Sequence, residues 1–337
     1  MPLMKADGNA SLSVTTIVSL ALLLVVIAIG FLFGASSVSW AELWAWLSGG
    51  EVSSTVKNIL LNIRLPRVLA ALLAGSALAV AGALIQAVLD NPLASPNVIG
   101  INSGAGLAVL LAASLLPQAL WALPLAAFIG AIATALMVFG IAAGSQTSKL
   151  TVILAGIAIT TVFGAGMNTI LIVNPDAYVG SATFLVGGLS GVMLRDLLWP
   201  GAYIVIGMLV ALAFGTRLNI LSLGDQSAHS LGIKVGRLRL LLLGLAAVLA
   251  GAAVSFSGLL GFVGLIVPHM MRFFVGYDNR KVIPLSIFSG ATFVVGCDLI
   301  ARTLFAPYEL PVGILMAFLG GPFFIYLILR NRRGISL

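Results

Sequence analysis

The chain alternates long uncharged runs with short clusters of charge. No Asp, Glu, Lys or Arg occurs in Gly8–Ala41, Val68–Leu89, Asn91–Ser148, Leu150–Pro175, Leu197–Thr216, Leu240–Met271, Val282–Cys297 or Leu310–Leu329. A helix needs roughly 20 predominantly apolar residues to cross the hydrocarbon core of a bilayer. Most of these runs fit one crossing. Asn91–Ser148 has room for two, divided near Pro117. Leu240–Met271 has room for one full helix and a shorter eighth one, divided by the stretch Gly258–Gly264. The pattern predicts an all-α, polytopic membrane bundle of about ten transmembrane helices.

Composition agrees. Of 337 residues, 61% are hydrophobic and 8% charged, against roughly 25% charged in soluble domains. The 38 glycines suit close packing of membrane helices. The first apolar segment is too long for a signal-peptide core and reads as a retained helix. Residues 1–337 read as a single transmembrane domain.

Charge placement orients the bundle. With an even number of crossings both termini share one side. If that side is the cytoplasm, then Lys5, Lys149, Arg217, Lys234, Arg237, Arg239, Arg272, Arg280, Lys281, Arg330, Arg332 and Arg333 lie inside. Only Lys57, Arg64, Arg67, Arg195 and Arg302 lie outside. This is the asymmetry the positive-inside rule requires. The net charge of +7 is therefore topological, and its spread over short loops argues against nucleic acid as a partner. Three connections are longer than the rest. Ala35–Asn62 carries Trp40, Trp44 and Trp46 and reads as an interfacial amphipathic segment. Asn174–Asp196 is a glycine-rich outer linker, and Arg217–Arg239 reads as two short inner helices.

Catalytic signatures are missing. The sequence has no GxxxxGK[ST] loop, no HExxH and no GxSxG elbow. A lone cysteine, Cys297, excludes an intrachain disulfide, and His229 and His269 are the only histidines, so no resident metal or cofactor is expected. Ion-coupled transporters carry ionisable residues in mid-helix. Here nearly every charge falls near a predicted helix end, which favours energy supplied by a partner over an ion-coupled secondary transporter. Asp298 and Arg302 stand i, i+4 near the outer end of the ninth helix, spaced for a local ion pair.

Five motifs occur in order. They are Arg64-Leu65-Pro66-Arg67; Gln86 with Asn91-Pro92-Leu93-Ala94-Ser95-Pro96 and Gly100-Ile101-Asn102-Ser103-Gly104-Ala105; Leu221-Ser222-Leu223-Gly224-Asp225 with Ala228 and Leu231-Gly232; Gly261–His269; and Glu309-Leu310-Pro311-Val312-Gly313. In order and spacing the chain resembles the FecCD family, permease subunits of type II ABC importers for ferric siderophores, cobalamin and haem. The resemblance runs from about Arg64 to Arg330.

The resemblance implies a division of labour. Two short helices over Leu218–Lys234 would dock an ATPase subunit, with Leu221, Gly224, Asp225, Ala228, Leu231 and Gly232 in the contact or its turns. Arg64, Arg67 and Arg302 would grip acidic residues of a periplasmic or lipid-anchored binding protein, though snorkelling anchors at the interface would look the same. The fifth helix, Leu150–Val173, would line the path with Thr160, Thr161 and Asn168, and Thr147 and Ser148 would form the inner gate. Two permeases, identical or paralogous, would pair with two ATPase subunits in the inner membrane. An iron–siderophore chelate is the expected cargo, with cobalamin, haem or molybdate as alternatives.

Overall fold

The computed structural model describes residues 8–34, 38–143 and 149–332. The described elements are helical throughout. Seven helices are long and apolar enough to cross a membrane, and three shorter apolar helices accompany them, which matches the ten read from the sequence.

Helix α1 (Gly8–Leu32) lies on the outside of the bundle, against α14 and α13. Helix α2 (Trp40–Leu47) opens with a capping box. Ser39 Oγ accepts from Glu42 N at 3.2 Å, and Glu42 Oε2 accepts from Ser39 N at 2.8 Å. Trp40 and Trp44 stay exposed, as expected of a segment at a membrane surface. Helix α3 (Ser54–Asn58) then runs through a π turn (Ile59–Arg64) into α4 (Leu65–Leu89) without interruption. The helix that carries the second crossing therefore starts at Ser54, not at Arg64. Pro66 explains the misread start. It lies in the first turn of α4, a usual place for proline at a helix start, directly after the wide turn in which Leu65 N reaches Leu60 O.

Helix α4 is the axis of the molecule and is buried along almost its whole length. Around it stand α5 (Ile101–Leu115), α6 (Ala122–Ala143), α7 (Lys149–Val173), α8 (Asp176–Val186), α9 (Leu194–Ala213), α10 (Gly215–Leu221), α11 (Asp225–Ser230), α12 (Val235–Ser257), α13 (Val263–Val275), α14 (Asn279–Thr303) and α15 (Val312–Arg332). Lipid tails are as apolar as leucine, so close backbone approach, not hydrophobicity, selects the partners of a buried membrane helix. Helix α4 achieves this through glycine. A Cβ on Gly75 would sit 2.2 Å from Gly290 O of α14, and one on Gly82 would sit 1.9 Å from Gly264 O of α13. Gly104 of α5 and Gly130 of α6 meet in the same way.

Helix α8 was not anticipated. The linker Asn174–Asp196 holds an 11-residue helix, Asp176–Val186, whose Ala177 and Ser181 are buried. The glycines around it hid the helical pattern, and Gly187 (φ +82°) ends it. The end of α8 receives two other chain segments. Leu259 N donates to Phe184 O at 2.9 Å and Gly188 N to Ser257 O at 3.0 Å, while Gly313 N donates to Gly187 O at 3.0 Å. Asn102 Nδ2 donates to Leu260 O at 3.1 Å. Non-helical backbone between α12 and α13 is thereby satisfied inside protein, as membrane depth demands.

Gly82→Ala is expected to lower stability by at least about 1–3 kcal/mol, the usual cost of overpacking, read as a fall in melting temperature in detergent. Gly140→Ala, with open space at its Cβ position, is the control. Equal melting of both variants would contradict this packing account.

Candidate translocation and coupling site

Three regions carry the polar chemistry, one at each end of the bundle and one along α7. At one end lie α10 and α11. Their helices are short because Phe214 and Ser222 close α10 and Gly224 (φ +101°) forces the turn into α11. Of the residues expected to dock a partner, Leu221 and Ala228 are buried in this chain's own core, at 2% and 0% exposure. Leu231 is exposed, and so is Leu223 between the helices. Gly224 and Gly232 occupy left-handed turn positions. Asp225 is held by Arg239 of α12 at 2.9 Å. The segment is thus a firmly seated two-helix platform with an apolar tip.

Sequence reasoning missed how this platform is fixed to α14. Asn219 Nδ2 donates to Asp278 Oδ1 at 2.6 Å, while Asn219 Oδ1 accepts from Asn279 N at 2.8 Å and Asn279 Nδ2 at 3.0 Å. Asp278 is also the N-cap of α14, accepting from Arg280 N at 3.0 Å. The available signal was an Asp before an uncharged helical run, a familiar helix start. Hydrogen bonds from Arg280, and secondarily from Asn219, lower the Asp278 pKa to about 2. Its contribution to stability is complete above the ordinary carboxylate range and is lost as pH falls through about 2.

At the opposite end lie Arg64, Arg67 and Arg302. The sequence reading placed them as outward-facing grips. In the structure all three are buried, at 2%, 6% and 2% exposure. Arg67 Nε donates to both Asp298 oxygens at 3.0 Å, and its Nη1 meets Glu309 Oε2 at 2.6 Å. Arg302 Nη2 donates to Gly30 O at 2.7 Å, and its Nε lies 3.7 Å from Asp298 Oδ2. Arg64 donates to Phe31 O and, at 3.0 Å, to Leu32 O. The expected Asp298–Arg302 pair exists but is the longer contact; Arg67 is the main partner of Asp298. Two arginines therefore cap the last carbonyls of α1, groups that a helix leaves unpaired and that favour a cation.

Along α7, Thr161 and Asn168 share an exposed face with Leu154, Ala165 and Ile172. Thr161 Oγ1 donates back to Ile157 O at 3.0 Å. Thr160 is turned away from that face and is half-buried, with its hydroxyl 3.4 Å from Ser103 of α5. Thr147 and Ser148, expected at the inner gate, lie outside the described residues. Among the described residues no three His, Cys, Asp or Glu side chains cluster to hold a metal. His269 packs edge-on against Phe323.

A buried axis, a break between α12 and α13 braced by the end of α8, and a two-helix platform at one end together suit a transport protein. The model of the FecCD transport family matches residues 22–330. The chain belongs to that family. A hemin transport system permease protein of Yersinia pestis is 40% identical over 324 residues, covering 94% of this chain and 96% of that protein. A cobalamin import system permease protein of Halobacterium salinarum is 40% identical over 85% of this chain and 77% of its own length. An Fe(3+) dicitrate transport system permease protein of Escherichia coli is 38% identical over 90% and 92%. A solved inward-facing structure of a metal-chelate type ABC transporter superposes with a TM-score of 0.82 at 29% identity, covering 93% of this chain and 97% of that one. This FecCD protein is therefore a multi-pass ABC importer permease.

For this FecCD permease, Asp298→Asn strands the buried Arg67 and Arg302 cations. Removing one partner of a buried ion pair costs about 3–5 kcal/mol. Glu309→Gln, at a side chain 29% exposed, is expected to cost less. Melting curves in detergent rank the two, and a larger loss for Glu309→Gln would contradict the geometry.

Proposed function

We propose that this permease carries an iron–siderophore chelate across the cytoplasmic membrane, driven by a separate ATPase subunit and fed by a substrate-binding protein. The observation that carries the reading is the α10–α11 platform. It stands at one end of the bundle, is fixed to α14 and α12, and offers the exposed Leu223 and Leu231 as an apolar contact. A docking site for an ATPase calls for such a rigid, exposed ledge. Family membership supports the same assignment.

The platform end also carries Lys149, Arg217, Lys234, Arg237, Arg239, Arg272, Arg280 and Lys281. The positive-inside rule then puts it in the cytoplasm. Two permeases pair, each with one ATPase, across the faces of α7 and α15 that this chain leaves open, and Thr161 and Asn168 line the path between them. Hydroxyl, amide and small side chains pass a bulky ligand without holding it tightly. The binding protein docks at the opposite end. Contact with Arg67 there requires its carboxylates to displace Glu309, the partly exposed partner.

An iron chelate is favoured because the relatives include permeases for hemin and ferric dicitrate. Haem itself is the second reading, favoured by the hemin relative that matches 94% of this chain. The deciding experiment reconstitutes the permease with its cognate ATPase and binding protein. With ATP supplied, uptake of a radio-iron siderophore is compared with that of haem, cobalamin and molybdate. Siderophore uptake is the expected result. Haem uptake alone selects the second reading, and uptake of cobalamin or molybdate alone overturns both.

A further inference from the structure

We propose that Asn219 is a positioning residue that carries movement of the docking platform into α14, so that α10 and α14 shift as one body. The inference rests on the reading of α10–α11 as the ATPase-docking segment.

The first N–H groups of a helix have no partners within it. In α14 the Arg280 N–H is satisfied by the helix's own N-cap, Asp278, but the Asn279 N–H is satisfied from another helix, by Asn219 Oδ1 at 2.8 Å. Asn279 is buried, at 3% exposure. Without Asn219 its N–H would lose this partner in a place that water reaches poorly, which is costly. The other half of the Asn219 amide grips the Asp278 carboxylate at 2.6 Å. One side chain of α10 thus holds the cap and the first residue of α14 together. The backbones are also close: a Cβ on Gly215 would lie 3.1 Å from the Arg280 Cα.

Helix α11 is fastened elsewhere, by Asp225 to Arg239 of α12. The link between α10 and α11, Ser222 to Gly224, includes the exposed Leu223 and a glycine at φ +101°. A push on the tip of the platform therefore reaches two different spanning helices through two separate contacts. The α14 branch leads across the bundle to Asp298, which holds Arg67 and Arg302 at the far end. Coupling over such a distance needs a continuous rigid element that both ends can bias. Helix α14 runs unbroken from Asn279 to Thr303, with Pro284 inside its second turn, so it joins the two ends, and the Asn219 amide is its handle.

The test uses the complete transporter in proteoliposomes, measuring ATPase binding, ATP hydrolysis and cargo transported per ATP. In Asn219→Ala the ATPase stays bound and keeps its basal hydrolysis, while transport per ATP falls roughly tenfold. Asn219→Asp sets two carboxylates side by side and uncouples in the same way. Asn219→Asp combined with Asp278→Asn exchanges amide and carboxylate, rebuilds the pair and restores coupling. This exchange also keeps the proposal falsifiable if the alanine variant folds poorly. An unchanged transport ratio in Asn219→Ala overturns it, and so does failure of the exchange to restore coupling. Loss of ATPase binding in Asn219→Ala overturns it as well, because the residue would then serve attachment instead of transmission. Leu223→Arg, at the exposed tip, checks the underlying reading separately. It is expected to release the ATPase, and an ATPase that stays bound to it overturns the docking assignment itself.

Discussion

Everything in this molecule depends on how closely two backbones approach on α4. Gly75 lies against Gly290 of α14, and Gly82 against Gly264 of α13, at separations where no Cβ fits. These contacts fix distance and register together. From Gly75 to Arg67, and from Gly290 to Asp298, is the same eight residues along antiparallel helices, which brings the guanidinium opposite the carboxylate at 2.9 Å. A charge buried in a membrane protein is tolerated only when paired. The glycine contact is therefore what makes the buried arginine cluster possible, and a bulkier helix at this position would separate Arg67 from its partners.

The cluster in turn organises one end of the bundle. Asp298 joins α4 to α14, Glu309 brings in the connection before α15, and Arg64 and Arg302 close the end of α1. Nearby, the α12–α13 break and the start of α15 both rest on the end of α8. Around α4 the structure is densely braced, whereas α7 and α15 keep broad open faces. That contrast suits a permease whose fixed half transmits force and whose open faces meet a second subunit along the path. At the other end, Asn219 and Asp225 join the platform to α14 and α12, so force applied there enters the braced half.

Much of this was legible in the sequence, and the reasons differ by feature. Uncharged runs gave the number of spans, because burying charge in hydrocarbon is costly whatever the fold. Breaks near Pro117 and in Gly258–Gly264 were visible through residues that cannot continue a helix. The platform over Leu218–Lys234 was visible because apolar and polar residues mix there. What stayed hidden was pairing across the chain. Arg67 and Asp298 are 231 residues apart, and no local spacing joins them, so the arginines read as surface grips. Asn219 was passed over for the same reason. The orientation of Thr160 was also illegible, because apolar and small residues stand on every side of α7 and its hydrophobic pattern does not mark a face. Helix α8 was masked by its glycines, and the start of the helix that carries the second crossing by Pro66.

In both end clusters the ionisable groups lie towards helix ends and are tied to structural partners, which leaves no titratable relay through the middle of the described spans. This suits the proposed function, in which the permease is a passage energised from outside itself. The most direct measurement is cargo accumulation in proteoliposomes holding the assembled transporter, with proton and sodium gradients dissipated by ionophores and ATP supplied on the platform side. The account predicts accumulation with ATP alone and none with imposed gradients alone. Accumulation driven by an ion gradient in the absence of ATP would contradict it.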